Sequence, residues 1–121
     1  MGLQEDVNTE FHKGLKAKLL TIMEKEKLYL DASLTIHSLA NQLNSNSKYL
    51  SQLINNDLKK NFVLFVNEYR IREAKRLLLD KSNNNITIES IGYDVGFKSK
   101  SAFNAVFKKI TNQTPSEFRN N

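Results

Sequence analysis

Apolar residues recur along this chain at helical spacing. Phe11, Leu15, Leu19, Ile22 and Met23 fall on one stripe. Thr9 is placed to cap that helix, and Lys25 and Lys27 stand where a helix C-terminus favours cations. Residues 1–8 read as a mobile start. Residues 28–33 read as a connection whose apolar side chains turn to the core. A short helix over 34–43 begins at a Thr35 cap, and the next, over 47–56, begins at an Asn46 cap and buries Leu50, Leu53 and Ile54. The longest helical pattern runs over 61–80, with Phe62, Phe65, Val66, Tyr69, Ala74, Leu77 and Leu78 on its stripe. After the polar run 82–85, Ile88, Ile91 and Val95 follow a Thr87 start signal. Gly96, Phe97, Lys98 and Ser99 make a turn, and Phe103, Val106 and Phe107 continue from a Ser99 cap. Thr114, Pro115 and Glu117 mark the cap, first position and capping box of a last short helix.

Two of these stretches repeat. Leu34, Thr35, Ile36, Leu39, Ala40 and Leu43 match Ile86, Thr87, Ile88, Ile91, Gly92 and Val95 at a constant offset. After the turn the offset grows by one, and Leu50, Leu53 and Ile54 match Phe103, Val106 and Phe107. The inserted residue falls in the turn, where it disturbs least. Helix, turn, helix is a recognised supersecondary unit, and here it occurs twice. Ala40 and Gly92 share one expected role, leaving room for two helices to cross closely. The pattern over 61–80 predicts a rod of roughly 30 Å, close to the ~34 Å between successive turns of one DNA groove.

Composition narrows the class. A chain of 121 residues, 40% hydrophobic and 26% charged, supports an ordinary globular fold with a modest core. No apolar run approaches the ~20 residues of a membrane span. Cysteine is absent, so thiolate zinc sites and disulfides are excluded. We expect a cytoplasmic protein whose chain makes no membrane contact. Net charge is +5, and it is unevenly spread. Residues 1–33 hold five basic and six acidic residues, and residues 34–121 hold thirteen and seven. The basic excess belongs to the part with the repeats, which favours a polyanionic partner. The polar face of the last repeated helix carries Lys100, Ser101, Asn104 and Lys108, groups suited to a DNA major groove.

Catalysis has little support. His12 and His37 stand on different elements with no ligand-spaced partner, and no phosphate loop or nucleophile elbow occurs. No catalytic residue, metal site or cofactor is expected, and the chain reads as not an enzyme. Arg70, beside the stripe of the long helix, is expected to brace the two lobes through a carboxylate or carbonyl. The aromatics lie on apolar stripes, which argues against an RNA-stacking platform. The apolar stripe of the first helix either docks on the neighbouring lobe, the expected outcome, or meets a partner outside this chain. The alternative function is therefore a helical protein-interaction module whose N-terminal helix docks a partner or dimerises.

The chain resembles the DNA-binding domain of AraC/XylS-type bacterial transcription regulators. The resemblance is carried by Gly96-Phe97, Ser99, Ser101, Phe103, Phe107-Lys108-Lys109 and Thr114-Pro115-Ser116-Glu117-Phe118-Arg119. Leu39-Ala40, Tyr49-Leu50-Ser51, Leu53, Phe62, Tyr69-Arg70-Ile71, Ala74 and Leu77-Leu78 add to it, and it covers about residues 34–119. It implies an all-α fold, two helix-turn-helix subdomains joined by a long central linking helix. The expected divisions are 1–33 as N-terminal helix and connection, 34–60 as first helix-turn-helix, 61–81 as linking helix, and 82–121 as second helix-turn-helix with a C-terminal short helix. The resemblance implies double-stranded DNA as partner, with Lys48, Ser51, Gln52, Lys100, Ser101 and Asn104 reading bases. Lys98, Ser99 and Lys108 would hold phosphates. It further implies a transcription activator, RNA polymerase as a second partner, and an effector, dimerisation or sensor domain elsewhere in a longer chain. Four positions depart from the family pattern. Lys59 and Asn112 stand where glycine is usual, Ile54 where phenylalanine is usual, and Ala105 where an arginine is common. Lysine tolerates a left-handed backbone poorly, so the turn at Lys59 is expected to be strained or built differently.

Overall fold

The computed structural model describes residues 2–121, with side chains described from Glu10 onward. Those residues form seven α-helices and two short 3-10 turns and no strand, as the spacing predicts. They pack as two units, one running up to Leu28 and again over Leu34–Phe62, the other made of Tyr29–Ser33 and Val63–Asn121.

In the first unit, α1 (Gly2–Glu26) begins before Thr9, so Thr9 lies inside the helix and does not cap it. The Thr9 side chain and Met1 lie outside the described residues, and of the expected start segment the backbone is helical from Gly2. Lys25 occupies the last turn, but Lys27 lies past the helix end with φ 52°. The stripe Leu15, Leu19 and Met23 is buried, so α1 docks within its own fold. Phe11, at 57% exposure, drops out of that stripe. A cleft of about 420 Å³ remains between α1 and the turn after α2 (Ile36–Gln42), lined by Lys18, Ile22, Lys25, Leu43 and Asn44 among others. Thr35 caps α2 with a capping box completed by Ser38, and Asn46 caps α3 (Ser47–Asp57) by accepting from the Tyr49 amide. Leu50, Leu53 and Ile54 are fully buried beneath α3.

α4 (Phe62–Leu79) starts at the last residue of the first unit and continues through the second. There it buries Phe65, Val66, Tyr69, Ala74 and Leu78, as its stripe requires, while Phe62 and Leu77 are only half-buried. Ile71 is buried too, although it lies off that stripe, because a second set of side chains covers another side of this helix. It joins Ala74 and Leu78 in a core with Ile91, Val95, Phe97, Phe103 and Phe107. The rings of Phe97, Phe103, Phe107 and Phe118 follow one another at centroid distances of 5.3, 5.7 and 5.5 Å. Thr87 caps α5 (Ile88–Asp94) and Ser99 caps α6 (Lys100–Thr111). Thr114 caps α7 (Pro115–Asn120), with Pro115 at its start. Glu117 closes that capping box, and hydrogen bonds from the Thr114 backbone and hydroxyl hold its carboxyl below the usual range. Of the connection, Tyr29 is buried and stacks on Tyr69 at 5.6 Å, while Leu30 remains exposed. Arg70 binds carbonyls, as expected, donating from Nε to Tyr29 at 2.7 Å and from Nη2 to Asp31 at 2.9 Å. Both carbonyls belong to its own unit, so its observed work is to pin the connection.

Candidate nucleic-acid interface

The repeat seen in the sequence is a repeat of backbone hydrogen bonds. After α2, the Ser45 amide donates to the Ala40 carbonyl at 2.9 Å and the Asn44 amide to Asn41 at 3.1 Å. After α5, Phe97 donates to Gly92 at 3.0 Å and Gly96 to Tyr93 at 3.1 Å. Each pair is a Schellman closure, which needs a left-handed residue just past the helix. Asn44 (φ 54°) and Gly96 (φ 107°) fill that place. The close helix crossing is also present. A Cβ on Gly92 would stand 2.7 Å from the Phe103 ring, while the corresponding first-copy residues are Ala40 and Leu50, both buried.

Burial of one side fixes what the other side presents. On α3, sinking Leu50, Leu53 and Ile54 leaves Lys48 and Gln52 exposed and Ser51 half-buried on the outward side. On α6, sinking Phe103 and Phe107 leaves Lys100, Ser101 and Lys108 exposed and Asn104 half-buried. Lys98 and Ser99 are exposed at the turn leading into α6. Among the described residues, no hydrogen bond engages the side-chain amide of Gln52 or Asn104. Ser99 Oγ accepts from the Ala102 amide at 3.1 Å, so its lone pair serves the cap and its proton stays available to an anion. Asn46 is a cap as well.

Two features escaped the sequence reading. Asn55 is exposed on α3 and donates to Ser51 Oγ at 3.3 Å. It stands in register with Lys108, so extending the repeat offset by one turn would have found it. Behind α3, Phe11 meets Tyr49 edge-on at 5.4 Å, and His12 Nε2 lies 2.9 Å from Asp57 Oδ1. His12 Nδ1 is 3.4 Å from the Tyr49 hydroxyl. Those contacts join residues dozens of positions apart and leave no local spacing signal. His37 is exposed. Among the described residues, no group of three or more histidines or carboxylates converges as a metal site, and no helix is long and apolar enough to cross a membrane.

A family model described as a helix-turn-helix domain matches residues 39–121. The arabinose operon regulatory protein of Escherichia coli (strain K12) is 35% identical over 116 residues, which is 95% of this chain and 39% of that protein. Histidine kinase P4 of Formosa agariphila is 43% identical over 56 residues, 46% of this chain and 4% of the kinase. Among solved structures, the C-terminal domain of AraT, a response regulator from Geobacillus stearothermophilus, matches with TM-score 0.74 at 27% identity, over 88% of this chain and 83% of that one. The chain spans well under half the length of these two curated relatives. This chain belongs to the AraC-type helix-turn-helix family, the DNA-binding domains of transcription regulators. The protein-interaction alternative is not favoured, and the α1 stripe it would need is buried within the fold.

Proposed function

We propose that α3 and α6 are the two recognition helices, each entering the major groove of one of two successive segments on the same duplex. The observation that carries this reading is the duplicated frame, in which two helices with matching caps, each preceded by the same helix closure and turn, present polar side chains outward. In this reading Lys48, Ser51, Gln52, Lys100, Ser101 and Asn104 address base edges, while Lys98, Ser99 and Lys108 address phosphates. Residues 1–33 form the N-terminal helix and connection, 34–60 the first reader, 61–81 the linking helix, and 82–121 the second reader with its closing helix. At 18 residues, α4 is about 27 Å long, which suits a spacer between readers one groove turn apart. The domain works in the cytoplasm as the DNA-binding part of a longer activator, beside an effector, dimerisation or sensor part, and RNA polymerase is its second partner.

Selection of bound sequences from random duplexes tests this. The expected product is a site with two preferred blocks about one helical turn apart. Gln52→Ala should relax one block and Asn104→Ala the other, by about 1–3 kcal/mol each. Equal weakening on every sequence would make the residue a phosphate or surface group. Failure to retain any duplex at low salt would refute the reading outright.

A further inference from the structure

The outward face of α6 holds Ser101, Asn104, Ala105 and Lys108, at successive spacings of three, one and three residues. Three of these are polar. The fourth, Ala105, is an exposed methyl between Asn104 and the side chain one turn on. An exposed alanine is ordinary on a helix. Its register is what matters here. Ala105 stands five residues into α6, and Gln52 stands five residues into α3, also exposed. The same place in the duplicated frame therefore offers a long amide in one copy and a bare methyl in the other.

The major groove gives these two groups different targets. Gln can pair bidentately with the N6 and N7 edge of adenine, whereas a methyl has one apolar target there, the C5-methyl of thymine. A Cβ reaches less far than a Gln amide, so reading with Ala105 needs the α6 backbone closer to the bases. A residue with nothing beyond Cβ allows that approach.

We propose that Ala105 is a specificity-determining residue that selects thymine through its methyl, at the register where Gln52 selects adenine in the first copy. This rests on the assignment of α6 as a recognition helix. It makes the two half-sites different in sequence although the backbones that read them follow one plan.

The test starts from a selected, tightly bound duplex. Each thymine of the α6 block is replaced in turn by deoxyuracil, which removes only the methyl, and affinity is measured by titration. One thymine is expected to respond, with binding weakened about fourfold when its methyl is lost. That response should shrink in Ala105→Ser. Repeating the selection with Ala105→Gln should move the preferred base at that pair from thymine to adenine. Ala105 is exposed, so both variants are expected to keep the helical circular-dichroism spectrum of the parent. Tolerance of deoxyuracil at every thymine, or an unchanged selected sequence for a tightly binding Ala105→Gln, overturns the proposal alone. Absence of any bound duplex in the first selection would instead overturn the DNA reading beneath it.

Discussion

Each helix-turn-helix copy places a left-handed residue after its first helix, Asn44 in one and Gly96 in the other. Each places another after its second helix, Lys59 (φ 58°) in one and Asn112 (φ 65°) in the other. The second copy meets both demands with residues suited to them, and the first meets one with Asn and the other with Lys. At the helix crossing the copies differ in residue size instead. Gly92 and Phe103 hold in one copy the places that Ala40 and Leu50 hold in the other, and all four are buried, with no room for a Cβ on Gly92 beside the Phe103 ring. A smaller residue at one of these places goes with a larger one at the other, whereas a left-handed backbone position can only be suited or strained. The family departure at Lys59 is accommodated as strain, with the turn kept.

The largest effect that would expose this asymmetry is Gly96→Ala. Its Cβ would meet the Tyr29 carbonyl at 2.5 Å and Arg70 Nε at 2.6 Å, on a backbone that L-residues avoid. Denaturant unfolding should show a loss of about 3 kcal/mol, against about 1 kcal/mol for Asn44→Ala. Next comes Gly92→Ala, expected to cost about 2 kcal/mol through the Phe103 ring. Adding Phe103→Leu recreates the pair of the first copy, and a double-mutant cycle should return about 1 kcal/mol of favourable coupling. Additive losses would mean the two crossings are not equivalent. Lys59→Gly should stabilise by about 0.5–1 kcal/mol, while Asn112→Gly changes little, about 0.3 kcal/mol either way. Equal gains at the two sites would remove the claim of greater strain in the first copy.

The smallest effect separates the capping boxes. Glu117 has a depressed pKa in the folded chain, so its contribution is present above the unfolded-state value and is lost as pH falls through the folded one. The Thr35 box uses the Ser38 hydroxyl and does not titrate there. Thermal melts of Glu117→Gln should therefore show a shallower fall in Tm through the acid range than the parent. An unchanged slope would show that the charge of Glu117 contributes nothing measurable to the box on α7.

Much of this was legible because it is local. Thr35, Asn46, Thr87, Ser99 and Thr114 announce helix starts through their own chemistry, and each caps the helix it announces. The outward placement of Lys48, Gln52, Lys100 and Ser101 follows from period alone once the buried residues are known. Thr9 misled because a cap signal does not by itself end a helix, and α1 runs through it from Gly2. Ile71 was invisible to a one-stripe reading because α4 is covered on more than one side. The contacts of His12 and Arg70 lie beyond any local rule, since each depends on a fold that brings together residues 37 to 45 positions apart.

The five residues Tyr29–Ser33 pack with the second unit, although Leu28 and Leu34 on either side of them pack with the first. In polymer terms, the bond from Arg70 to the Tyr29 carbonyl closes a loop of 41 residues, and that loop contains the whole first helix-turn-helix. A flexible loop of that length carries an entropic cost that a compact one largely avoids. With residues 34–62 folded into their own unit, the flexible part of that loop is shorter and its closure costs less entropy. It also follows that no single cut yields both units whole. A fragment starting at residue 34 keeps every residue of α5 and α6, yet leaves Arg70 with neither of the carbonyls it binds.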